Sequence, residues 1–439
     1  MPFCEVVKED VGPETTLNNA AIKIFYRTYG HGPIKALLII GLAGTHESWG
    51  PQIMGLTGTD KPNDDDEDDG GIVSDGSGIE VCAFDNRGMG RSSVPTHKSE
   101  YTTTIMANDS ISLLDHLGWK RAHIIGHSMG AMIACKLAAM VPERVLSLAL
   151  LNVTGGGFEC FPKLDRQSLS IAIRFLKAKT PEQRAAVDLD THYSKDYLEE
   201  SVGTNTRRAI LYQQYVKGIS ETGMQSKYGF DGQINACWLH KITKPEIEVI
   251  RSAGFLVSVI HGRYATPTQL ESKSPPHALR LEFVDLVKHL YLYTVVNLRM
   301  CWVICRHDVI AQICYARRLA QRLYPVARMV DLHGGHLVSH ERTEEVNKAL
   351  LELIKASEMK KRPTDWTNLT METPGYLKRR LALITSSSEG KNAVSPAHFI
   401  AEKFHRFLLF LFGLLVLAFE YSRRAFRAVK PVKVGPCLT

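Results

Sequence analysis

An α/β architecture is predicted for this chain: a mostly parallel sheet flanked by helices, a helical region inserted into it, and an apolar helix of membrane type near the C-terminus. Three observations predict it. Apolar runs of strand length alternate with longer helix-like runs, the pattern of a sheet covered by helices. Residues Gly126-His127-Ser128-Met129-Gly130 lie between a strand-like run, 122–125, and a helix-like run, 131–138. Residues 158–250 lack strand-like runs and are rich in helix formers.

The elements follow in chain order. Residues 20–29 read as an early antiparallel strand, and Gly30-His31-Gly32-Pro33 turns the chain into an apolar strand at 35–40. Gly41-Leu42-Ala43-Gly44 follows as a loop. The run Asp64-Asp65-Asp66-Glu67-Asp68-Asp69 repels itself and lacks the spaced ligands of an EF-hand loop, so it reads as a solvated insertion. Val81 to Phe84 is the next strand, and Thr103 to Leu117 is an amphipathic helix ending at Gly118. Residues 146–153 form another buried strand, which Gly155-Gly156-Gly157 breaks. Phe255 to Ile260 and Met300 to Cys305 are two apolar runs that compete for one strand position. Ala327 to Leu332 is the last strand, and a helix follows from Thr343.

Five segments result: 1–154 and 251–356 as two halves of one core, 155–250 as the helical insertion, 357–399 as a polar linker, and 400–439 as a basic tail. The tail's apolar run, 407–419, is shorter than the ~20 residues that usually span a bilayer. Lys403, His405 and Arg406 flank it on one side and Arg423, Arg424, Arg427, Lys430 and Lys433 on the other. Snorkelling basic side chains rescue a short span, and a helix lying in one leaflet is the alternative.

Composition excludes several classes. Hydrophobic content of 44% with 23% charged residues fits a globular protein. Most of the formal net charge of +7 lies in the tail, and no zinc-finger spacing or basic-aromatic stripe points to nucleic acid. Nine cysteines without a C-x-x-C pair argue for a reducing, cytosolic compartment, with Cys82 and Cys135 as buried thiols. Cys301 and Cys305 have no matching His/Cys pair nearby, so no metal is expected, and no organic cofactor either. The N-terminus lacks a signal-peptide apolar region, which makes the Asn-x-Ser/Thr triplets at Asn108, Asn152 and Asn368 incidental.

The G-x-S-x-G turn, the later Gly334-Gly335-His336 segment and the loop Asp85-Asn86-Arg87-Gly88-Met89-Gly90-Arg91-Ser92 resemble the α/β-hydrolase superfamily over roughly residues 20–355. The resemblance implies a nucleophile elbow at Ser128 and the family order Ser, acid, His. The matching residues are Ser128 as nucleophile, His336 as general base then acid, and Asp308 as the carboxylate that orients it. It also implies an oxyanion hole from the backbone N–H groups of Leu42 and Met129. Asp85 and Arg87 are read as loop braces. His333 and His340 are rivals to His336, one of them expected to be exposed. The family often has His where Ile40 stands, so a hydrogen bond bracing that loop is expected to be missing. The insertion at 155–250 would be a cap shaping the pocket, with Phe158, Phe161, Tyr193, Tyr197, Tyr212, Tyr215 and Trp238 as candidate walls.

A Ser at the elbow points to acyl transfer on an ester, thioester or lactone, whereas members that open epoxides carry Asp there. The expected substrate is a small acyl or lipid-like compound, with the membrane reached through the tail. One segment departs from the family pattern. Deleting 264–306 joins Val259-Ile260-His261-Gly262-Arg263 to His307-Asp308-Val309-Ile310 without a break. Arg263-Tyr264-Ala265 and Ile304-Cys305-Arg306 can be encoded with splice donor and acceptor signals, as a retained intron requires. Two further readings therefore stand beside the hydrolase: a ligand-binding receptor with little turnover, and an inactive splice-retention product.

Overall fold

The computed structural model describes residues 2–6, 21–63, 78–160, 166–263, 308 and 310–368. The acidic run 64–69, the insertion 264–306 with its strand-like run, Phe161, Cys301, Cys305 and the tail run 407–419 lie outside the described residues. Among the described residues, no helix is long and apolar enough to cross a membrane.

One eight-stranded sheet organises the core. Its strands in chain order are β1 (Phe3–Val6), β2 (Ile22–Tyr29), β3 (Ile34–Ile39), β4 (Ile79–Phe84), β5 (Ala122–His127) and β6 (Val145–Leu151), followed after the helical insertion by β9 (Leu256–Arg263) and β10 (Ala327–His333). Their order across the sheet is β1-β2-β4-β3-β5-β6-β9-β10. β2 pairs antiparallel with β1 and β4, and every pairing from β4 to β10 is parallel. Central parallel strands are covered on both faces, so they are apolar throughout rather than alternating, as Ala36 to Ile39 are.

Alternate residues serve opposite faces. Leu37, Ile39, Ile124, Leu148, Leu150, Val257 and Val259 share one cluster with residues of α2 (Thr103–His116), α3 (Met129–Met140), α9 (Lys244–Ser252) and α10 (Ile313–Arg322). On the other face, α12 (Thr343–Glu358) lies along β6 and β9 and packs against α1 (Gly50–Thr57). Thr102 caps α2 by accepting from the Ile105 N–H at 3.1 Å, and the helix stops at Gly118, where φ is 66°. The short helix α13 (Pro363–Thr367) closes the described chain: Trp366 is buried and its indole N–H donates to Val257 O at 2.9 Å.

Leu256–Arg263 takes the contested strand position, bonded on one side to β6 and on the other to β10. Between β6 and β9 lie α4 (Arg166–Lys177), α5 (Pro181–His192), α6 (Lys195–Glu199), α7 (Arg207–Thr222) and α8 (Lys227–Leu239), with α9 last. The interval is not strand-free. Ser201–Val202 and Asn205–Thr206 form a two-residue hairpin, β7 and β8, too short to show as an apolar run. Nor is it one unit. Ala236, Ile247 and Ile250 of α8 and α9 belong to the sheet's core, whereas Leu189, Tyr193 and Leu198 form a separate cluster with Tyr197, Leu211, Tyr212 and Tyr215.

Candidate active site

The turn from β5 into α3 is built by two glycines. A Cβ on Gly126 would lie 2.4 Å from Gly130 O, and one on Gly130 would lie 1.9 Å from Ile39 O. Only hydrogen fits where the strand, the turn and β3 meet. Between them Ser128 sits at φ 54° and ψ −117°, a conformation L-residues rarely adopt. Its N–H donates to Leu151 O at 2.9 Å, which ties the turn to β6. Its side chain is left at the C-terminal edge of the sheet.

The structure brings Ser128, His336 and Asp308 together. His336 follows β10, and its Nε2 is 3.0 Å from Ser128 Oγ. Its Nδ1 is 3.0 Å from Asp308 Oδ2. A carboxylate only accepts, so Nδ1 carries the proton and Nε2 offers its lone pair to the serine hydroxyl. Asp308 Oδ1 accepts the N–H groups of Ile310 at 2.9 Å and Ala311 at 2.8 Å. Burial would raise the Asp308 carboxyl, but the His336 ring beside it and these hydrogen bonds outweigh burial and hold it well below the usual carboxylate range.

Met129 follows Ser128 in the chain, and Leu42 follows Gly41, which packs against Ser128. Met129 is the first residue of α3, so its N–H has no acceptor within the helix. Gly41 lies against the turn, since a Cβ there would be 3.1 Å from both His127 O and Ser128 Cβ.

His333 and His340 are both half-buried, so the expectation that one is exposed does not hold. His340 is fully engaged, its Nε2 donating to Ser48 O at 2.8 Å and its Nδ1 meeting Tyr193 Oη at 3.0 Å. The loop after β3 is also braced despite Ile40. Asn86 donates to Ile40 O at 2.7 Å, and Gln233 Oε1 accepts the Ala43 N–H at 3.0 Å. Asp85 accepts both the backbone N–H and Nδ1–H of His46 at 2.8 Å, and Arg87 Nε donates to Asp109 at 2.6 Å. These residues are buried braces at the loop's base. Of the aromatic candidates, Tyr193 is buried, Tyr197, Tyr212 and Tyr215 pack around it, and Trp238 is exposed.

Sequence reasoning missed four residues here. Asn152, at φ 47°, donates from Nδ2 to Asp308 Oδ2 at 2.9 Å; its only sequence signal is a polar residue ending an apolar strand. Gln233 had no signal, because its partners lie far away in the chain. His127 is buried and donates from Nε2 to the backbone oxygen of His336 at 2.9 Å. Desolvation pushes that imidazole down to about 3, so it stays neutral and holds the loop without adding charge. Glu341 is the fourth. Among the described residues, no group of three His, Cys, Asp or Glu is arranged to hold a metal ion.

Comparisons with known proteins bear on the fold. An enol-lactonase from Burkholderia xenovorans superposes with a TM-score of 0.51 at 20% identity, covering 76% of this chain and 97% of that one. A structure from work on the carboxylesterases of the thaumarchaeon Nitrososphaera gargenis superposes at 0.50 with 17% identity, covering 82% and 99%. Among curated relatives, a putative carbamate hydrolase, RutD, of Variovorax paradoxus is 33% identical over 125 residues. The bifunctional epoxide hydrolase 2 of Sus scrofa is 37% identical over 76 residues. These two matches cover 28% and 17% of this chain, and 40% and 14% of the relatives' own lengths. The family model for the alpha/beta hydrolase fold matches residues 37–343, and the chain belongs to that family.

Proposed function

We propose that this chain is a serine hydrolase of carboxylic acyl compounds, with Ser128 as nucleophile, His336 as base and acid, and Asp308 as orienting carboxylate. The observation that carries the reading is the unbroken chain of contacts: Ser128 Oγ to His336 Nε2 at 3.0 Å, and His336 Nδ1 to Asp308 Oδ2 at 3.0 Å.

The steps follow from the tautomer. His336 Nε2 takes the hydroxyl proton as Oγ adds to the carbonyl carbon. The imidazolium is balanced by Asp308, and the oxyanion faces the Leu42 and Met129 amides. Collapse expels the alcohol, thiol or amine, which receives the proton from His336. Water, deprotonated by the same nitrogen, then releases the acid and frees Ser128. An epoxide offers no carbonyl, and an ester left by a carboxylate nucleophile is what such ring opening passes through; Ser128 favours acyl substrates instead. The carbamate named for RutD is such an acyl compound.

The apolar run 407–419 between basic flanks supports a membrane attachment that brings lipid-like esters to the site. Its test is carbonate extraction of the full chain beside a chain ending before residue 400; equal release of both would end this part of the reading.

Fluorophosphonate labelling tests the chemistry. The full chain, a chain lacking 264–306, and Ser128→Ala in each are compared. Labelling of both forms that disappears with Ser128→Ala, together with sustained ester turnover, is expected. A stoichiometric burst without turnover would favour the receptor, and labelling of the short form alone would make this chain a splice-retention product.

A further inference from the structure

The loop that carries His336 is clasped to the inserted helices by one side chain. Glu341 ends the helical turn α11 (Val338–Glu341). Its Oε1 accepts the backbone N–H of Gly335 at 2.9 Å and of Ser194 at 2.7 Å, and its Oε2 accepts the Ser194 hydroxyl at 2.6 Å. Gly335 is the residue before His336, and Ser194 caps α6. A side chain is not tolerated at position 335: a Cβ would lie 2.8 Å from His192 O and 2.9 Å from Glu341 Oε1. The contact is therefore backbone against backbone with a carboxylate between.

Other bonds run the same way. Leu337 N–H donates to His192 O at 2.9 Å, and the Tyr197 hydroxyl donates to His340 O at 3.3 Å. Because His340 Nε2–H is given to Ser48 O, its Nδ1 must accept from Tyr193. Apart from the Gly335–Glu341 and His340–Ser48 bonds, these contacts join residues 192–197 to 337–341. A carboxylate suits the centre, since it alone presents acceptors to three converging donors without a competing N–H.

We propose that Glu341 is a positioning residue, which makes the corner of the inserted helices at 192–197 and the His336 loop a single body and thereby sets His336 at its distance from Ser128. The inference rests on His336 being the base.

The test uses Glu341→Ala and Glu341→Gln in the full chain. Glutamine keeps both N–H groups on Oε1 and turns its amide toward the Ser194 hydroxyl, which can accept. Glu341→Ala is expected to lower kcat and the rate of Ser128-dependent labelling by about 10- to 100-fold with KM little changed, the scale of a misplacement of about 1 Å. Glu341→Gln is expected to recover most of that loss. Amide hydrogen exchange, read without substrate, is expected to rise together at 192–197 and 334–341 in the alanine variant alone. Exchange rising in one segment only, or an alanine variant that labels at the wild-type rate, would overturn the proposal. If the wild type shows no Ser128-dependent labelling, the hydrolase reading fails, and the exchange result alone decides whether the clasp exists. Should Glu341→Ala not fold, Ser194→Ala removes one donor and is expected to give a smaller loss in the same direction.

Discussion

Three glycine-to-alanine changes grade the geometry around Ser128. At Gly130 the added carbon would lie 1.9 Å from Ile39 O and 2.7 Å from Ile40 O. Ordinary contact begins near 3.4 Å, so β3 must retreat from α3 by about 1.5 Å. β3 runs directly into the loop bearing the Leu42 amide, so the retreat falls on the distance between that donor and Ser128. A shift of about 1 Å at reacting groups costs about 100-fold in rate, and overpacking costs about 1–3 kcal/mol in stability. Gly130→Ala is therefore expected to lose about 100-fold or more in fluorophosphonate labelling. At Gly41 the added carbon meets His127 O and Ser128 Cβ at 3.1 Å, where a few tenths of an ångström suffice. Gly41→Ala should lose about tenfold, with stability within about 1 kcal/mol of wild type. At Gly50 nothing lies within 4 Å and φ is −44°, so Gly50→Ala should label normally and be up to about 1 kcal/mol more stable. Labelling rates and urea midpoints of the three variants make the assay. A folded Gly130→Ala that labels at the wild-type rate, or a larger loss at Gly41 than at Gly130, would refute the reasoning.

Further outcomes follow from the same contacts. Ser128→Gly releases a residue held at φ 54°, so its urea midpoint should correspond to about 1 kcal/mol of added stability while labelling vanishes; a lower midpoint would show that the turn stores no strain. Asn152→Ala removes the donor to Asp308 Oδ2, a charged hydrogen bond worth about 1.5–3 kcal/mol, and labelling should slow by about 10- to 100-fold; an unchanged rate would show that the backbone amides at 310 and 311 suffice. Burial pushes His123 down to about 4, and His127 and His240 down to about 3. Their folded values are depressed, so the unfolded chain takes up protons first. The stability they contribute is complete above the unfolded pKa of about 6.5 and falls with pH below it, by up to about 1.4 kcal/mol per pH unit for each. Urea midpoints at pH 7.5 and 5 test this, and equal midpoints would contradict it.

Local pattern carried the parts of the site that local pattern builds. The glycine pair around Ser128 is required by one turn, and the strand before it and the helix after it are contiguous in sequence. The same holds for His336 after β10. Asp308 was legible only through the family order, since a neighbouring apolar run competed for the strand that precedes it. Leu256–Arg263 won that position because it pairs on both edges, with β6 and with β10, and periodicity along one segment does not encode two partners. Asp85 and Arg87 were legible as braces from the loop pattern, but Gln233 and Asn152 were not, for a related reason. Gln233 belongs to a helix read as part of the cap, yet it bonds Ala43 and Arg87, and its function exists only once those segments meet. Asn152 was read as part of an incidental glycosylation triplet, whereas its side chain is buried against Asp308.

The sheet order has a consequence for how the chain is made. β6 is apolar on both faces, and its outer edge is completed only by β9, which follows about 100 residues later. At synthesis rates of about 5–20 residues per second, the inner half of the sheet waits roughly 5–20 s for that partner. During this interval Val145–Leu151 is an unpaired apolar edge, the kind of surface on which nascent chains associate. Chains stopped between β6 and β9 keep that edge open, so premature termination in the helical insertion is expected to yield an aggregation-prone fragment.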